Sequence, residues 1–88
     1  MNASPTTFTY HTDPGHGWVE VPLPVLQELG ITGDISSFSY TDGRNAYLEE
    51  DCDAHRFVLA FEKANGNRPT FVEQYKDNTP IRNLPRFS

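Results

Sequence analysis

The chain has 88 residues, 36% of them hydrophobic and 12% aromatic, with a formal net charge of −5. A chain of this size buries only about 60–65% of its unfolded surface, so one small domain spanning residues 1–88 is expected, with little room for a deep catalytic cavity. The acidic balance argues against direct nucleic-acid binding, which needs a basic face, and no apolar run approaches the ~18 residues that span a bilayer.

Thr6 to Thr12 alternates, with Phe8 and Tyr10 on one side and Thr7, Thr9 and His11 on the other, and predicts a first strand. Asp13-Pro14-Gly15-His16-Gly17 is a dense turn signal. Trp18 to Val21 then returns as a second strand, making a hairpin with a five-residue loop. Pro22 to Gly30 predicts a short helix, with proline at its start and a glycine cap before apolar Ile31. Ile35 to Tyr40 alternates and predicts a third strand, and Ala46 to Glu50 a fourth. The Asp42-Gly43 turn between them completes a second hairpin over residues 35–50.

A second helix is predicted from Asp51 or Asp53 to Asn65-Gly66. Ala54, Phe57, Val58, Phe61 and Ala64 recur at the spacing of a buried stripe. Pro69 precedes a last strand, Thr70 to Tyr75, and residues 77–88 read as an extended, partly packed tail with a frayed end. The order β-β-α-β-β-α-β predicts an α+β fold, a mostly antiparallel sheet of about five strands with one main helix on one face.

Charge is uneven along the chain. Residues 1–53 hold nine acids against one base, a balance of −8, and residues 54–88 three acids against six bases, a balance of +3. Four acids fall in residues 49–53. Asp51 or Asp53 suits the helix cap, where a carboxylate contributes about 1 kcal/mol. Capping does not explain Glu49 and Glu50. Glu49, Glu50, Asp51 and Asp53 are therefore the candidate contact residues for a basic partner protein.

Cys52 and His55, three residues apart, could pair as nucleophile and base. The flanking acids oppose a thiolate, and cysteine is among the most buried residues, so a packed, inert thiol is expected. His11, Asp13 and His16 offer ligand chemistry for zinc or iron, but the spacing is not a specific signature and turn formation accounts for these residues. No cofactor is expected. Trp18 reads as a core or hairpin-stabilising residue, and as a contact hot spot if exposed. Arg68, Lys76, Arg82 and Arg86 read as a solvated face or as internal partners for the acids. The single cysteine, and a Met1–Pro5 start with neither a basic nor an apolar stretch, point to the cytoplasm.

Tyr10-His11-Thr12-Asp13-Pro14-Gly15-His16-Gly17-Trp18, Tyr47-Leu48-Glu49-Glu50-Asp51-Cys52-Asp53-Ala54 and Pro80-Ile81-Arg82 together resemble a group of small bacterial proteins also carried by phages and plasmids. The likeness covers most of the chain. The group brings no assigned activity and no catalytic residues. The resemblance implies context: small acidic proteins on mobile elements include inhibitors that block a host nucleic-acid-binding complex, as anti-CRISPR proteins do. The expected function is thus a non-enzymatic interaction module, possible partners being nucleic-acid-binding proteins. The alternatives are a metal- or thiol-dependent enzyme using His11, Asp13 and His16 or Cys52 and His55, and a subunit of a larger assembly.

Overall fold

Alternating apolar residues set the two faces of the sheet. In β1 (Thr7–Thr12) and β2 (Gly17–Pro22), Phe8, Val19 and Val21 point to one side and are buried. A computed structural model describes residues 5–87; the readings made for Met1–Ser4 and for a frayed end at Ser88 lie outside the described residues. β1 and β2 pair antiparallel, with His11 opposite Trp18. Gly17 starts β2 because the Tyr10 ring lies against it; a Cβ there would fall 2.5 Å from the Tyr10 hydroxyl.

α1 (Leu23–Leu29) follows directly, with proline in its first turn and Gly30 in the left-handed conformation at φ 71°. β3 (Tyr40–Thr41) and β4 (Asn45–Glu49) form the second hairpin. Its turn is held by Asp42, whose carboxylate accepts the N–H groups of Arg44 and Asn45 at 2.9 and 2.8 Å. β4 pairs antiparallel with β2, so Trp18 lies opposite Glu49. α2 (Asp53–Asn65) then crosses one face of the sheet, and β5 (Thr70–Tyr75) joins β1 in parallel. The strand order is β3-β4-β2-β1-β5, with three antiparallel pairings and one parallel.

The core lies between this sheet face and the two helices. Phe8 meets Phe57 edge-on at 5.0 Å and Phe61 at 5.8 Å. Leu26, Ala46, Leu48 and Ala54 complete it. The α+β fold with its main helix on a mostly antiparallel sheet is as expected.

Four local expectations are corrected. Residues 35–39 are not strand, because the Ser36 and Ser39 groups bond to the Asp53 carboxylate instead of a neighbouring strand. Neither Asp51 nor Asp53 caps α2: Cys52 holds the cap position without a side-chain bond, and Asp53 is the first helical residue, turned inward. Ala64 is exposed, so the buried stripe ends one turn earlier at Phe61. The tail is not simply extended. Pro80–Asn83 forms a turn of 3-10 helix begun by Thr79, which buries Ile81, and Phe87 is buried further on. No described helix is long and apolar enough to cross a membrane.

Candidate functional site

Alternation places Trp18, Tyr40, Tyr47 and Glu49 on the sheet face away from α2, since their neighbours Val19, Ala46 and Leu48 face the core. The tail crosses this second face. The Arg82 guanidinium lies 4.8 Å above the Trp18 ring, and that of Arg86 lies 5.4 Å from the Tyr40 ring. Arg82 also binds both carboxylate oxygens of Asp13, and Arg86 donates to the Ser37 carbonyl at 2.9 Å. Asp13 accepts the N–H groups of Gly15 and His16, each at 2.9 Å. The Arg82 bond, reinforced by these two N–H groups, holds the Asp13 carboxyl well below the usual carboxylate range. The 13–16 loop and the tail are thus tied at one point.

Between them is a groove of about 440 Å³. Trp18 and Tyr40 form its floor, with ring centroids 6.5 Å apart. Arg82 and Arg86 line one side; Glu49, Asp51 and Cys52 contribute acids and a thiol. Phe38 stands at the rim, 65% exposed, on the loop that Asp53 anchors. Such a combination of rigid aromatic surface, an exposed apolar ring and charged groups suits contact with another molecule.

The four acids of residues 49–53 divide into three kinds. Asp53 is 0% exposed, and its carboxylate accepts Ser36 Oγ at 2.7 Å and Ser39 Oγ at 2.5 Å, so it is an internal anchor and leaves the contact set. Glu50 is turned to the α2 side, where it accepts the Tyr10 hydroxyl at 2.7 Å. Burial and this bond push the Tyr10 hydroxyl up to about 12. Glu49 and Asp51 open into the groove, with the Asp51 N–H donating to Glu49 Oε2 at 3.0 Å. Among the described residues, Glu49, Glu50 and Asp51 form no ion pair.

The other sequence candidates are dispersed. His11 bonds Glu20 at 2.8 Å, Asp13 bonds Arg82, and His16 stands beside Trp18, so the suggested trio His11, Asp13 and His16 does not converge. A different trio does: ligand atoms of His16, Glu49 and Glu50 lie within 4.8 Å of one another. One imidazole and two carboxylates suit a divalent ion such as zinc. Cys52 is exposed, contrary to the packed thiol expected, and opens into the groove; His55 lines a separate hollow beside Phe71. Trp18 is only 2% exposed, a buried residue whose lid is Arg82. Arg82 is an internal partner for an acid, while Arg68 makes only a loose, exposed pair with Glu62 at 3.8 Å.

Phe38 and Tyr40 are groove residues that the sequence does not mark as contacts; Tyr40 stands in β3 as expected, whereas Phe38 lies on the loop before it. Comparison with known protein families, with curated proteins and with solved structures finds no match to this chain.

Proposed function

We propose that this protein is a non-enzymatic interaction module whose groove receives a basic element of a partner protein. The observation that carries this reading is the pair Glu49 and Asp51, without ion-pair partners among the described residues, lining the groove beside Tyr40 with Phe38 exposed at the rim. A lysine or arginine of the partner would meet the acids, and its aliphatic stem the accessible Phe38 and Tyr40 rings, Trp18 being covered by Arg82. The net charge of −5 would speed the encounter with a basic surface. The resemblance to mobile-element proteins narrows the proposal to an inhibitor that occupies the nucleic-acid site of a host defence complex. Nucleic acid would then compete for the same partner.

The test is capture of a partner by the full chain, followed by titration with the Glu49→Lys/Asp51→Lys double variant and with Phe38→Ala. Each variant should weaken binding roughly tenfold or more if these residues form the centre of the contact. Binding by the double variant at the original affinity would remove the assignment. Loss of the native chain's binding on chelation, matched by an equal loss in His16→Ala, would instead favour a divalent ion on His16, Glu49 and Glu50. Nucleic acid that fails to displace the partner would sink the narrower inhibitor reading alone.

A further inference from the structure

The two edges of the sheet are finished differently. β3 is two residues long, and Tyr40 is bridged there by Arg86 of the tail. β5 is six residues long, every one exposed, and no described strand pairs with its outer side. Its sequence, Thr70-Phe71-Val72-Glu73-Gln74-Tyr75, has none of the prolines or lysines that commonly blunt an edge.

The bonds to β1 fix which groups remain free. The N–H groups of Thr70 and Lys76 donate to the carbonyls of Thr6 and Thr12 at 2.8 and 2.9 Å. In a parallel pair each residue sends its N–H and C=O to one side, and successive residues alternate. Thr70, Val72 and Gln74 therefore face β1, while Phe71, Glu73 and Tyr75 present N–H and C=O outward. Their side chains lie on the α2 side, because their β1 partners are Phe8, Tyr10 and Thr12. Phe71 contacts the Tyr10 ring at 6.4 Å, and Glu73 accepts the Thr12 hydroxyl at 2.8 Å with one of its two oxygens.

We propose that this edge receives an extended segment of a partner polypeptide by strand addition. The segment carries lysine or arginine opposite Glu73 and an apolar side chain two residues to either side, opposite Phe71 and Tyr75. Opposite charges and aromatic–apolar pairs are the favourable cross-strand neighbours. The pattern reads the same in both directions, so it holds for parallel or antiparallel addition. It is independent of the groove.

A second copy of this chain fits the edge poorly. In a two-fold antiparallel pairing, outward-facing residues must meet outward-facing residues. Centring on Glu73 sets two carboxylates opposite each other. Centring on Val72 sets Arg68 against Lys76 and Phe71 against Glu73. Centring on Gln74 sets Phe71 against Asp77. Each register carries a like-charge or apolar–charge mismatch.

The experiment uses the full chain with labelled backbone amides and an end-blocked heptapeptide of threonine, with valine at its second and sixth positions and lysine at its fourth. Amide exchange should slow at Phe71, Glu73 and Tyr75 and stay unchanged at Thr70, Val72 and Gln74, whose N–H groups already bond to β1. A peptide with glutamate at the centre should bind roughly two- to fivefold more weakly, and Glu73→Lys should invert that preference. Exchange that slows at no amide at millimolar peptide, or at all six alike, overturns the proposal. So does a peptide preference indifferent to Glu73→Lys. Outward amides already protected in a peptide-free chain that sediments as a dimer would assign the edge to a second copy instead.

Discussion

On one face of the sheet Phe8, Val19, Val21 and Leu48 meet Phe57 and Phe61; on the other, Trp18, Tyr40 and Tyr47 lie beneath the tail that carries Arg82 and Arg86. The first contact is apolar throughout, close-packed and non-directional. The second depends on a few directional contacts: a guanidinium on a carboxylate, the same guanidinium on an indole, and a second guanidinium on a carbonyl. An apolar layer weakens mainly through lost volume. A charge-held layer responds to pH. The difference puts the persistent part of the fold beneath α2 and the adjustable part over the groove.

The comparison breaks first at Phe57, which has no exposed surface. Phe57→Ala should cost about 3–5 kcal/mol, because it removes the ring that Phe8 and Phe61 both touch and leaves a cavity. Denaturant unfolding with an unchanged slope measures this. A loss under ~1 kcal/mol would mean that α2 is not what holds this face.

Asp53 tests the joint between the two faces. Asp53→Ala leaves the Ser36 and Ser39 hydroxyls without their charged acceptor, at an expected cost of about 2–4 kcal/mol. It should also release the loop that carries Phe38 and weaken the groove contact. Stability lost with partner binding intact would separate the anchor from the groove.

Legibility in the sequence follows the same division. The α2 face was readable because periods of two and of about 3.6 mark it directly, in Phe8, Val19 and Val21 and again in Ala54, Phe57 and Phe61. The groove was not. Ile35 to Tyr40 has the alternation of a strand, and nothing local reveals that Asp53, 17 residues from Ser36, captures its serines. The Asp13–Arg82 contact spans 69 residues, beyond any local pattern. The acid cluster was visible, but its division into an anchor, a tyrosine partner and two groove acids needed the inward turn of α2. The convergence of His16 with Glu49 and Glu50 depends on the β2–β4 register, which the sequence does not print.

The smallest effect is the most specific to the second face. An unfolded aspartate takes up its proton near pH 4, whereas folded Asp13 stays ionised well below that, held chiefly by its bond to Arg82. A depressed carboxylate contributes stability that is fully present above about pH 4 and is lost as pH falls toward its folded value. Arg82 should therefore loosen from Trp18 in acid before the α2 face opens. Trp18 is the only tryptophan, so its emission reports this face alone. In the native chain, acid titration should shift Trp18 emission while the helical signal persists. In Asp13→Asn, which keeps the shape of the side chain but not its charge, the emission should already be shifted at neutral pH and change little further in acid. The same acid course in both chains, or emission and helix signal falling together, would show that the Asp13–Arg82 tie is not what closes the second face.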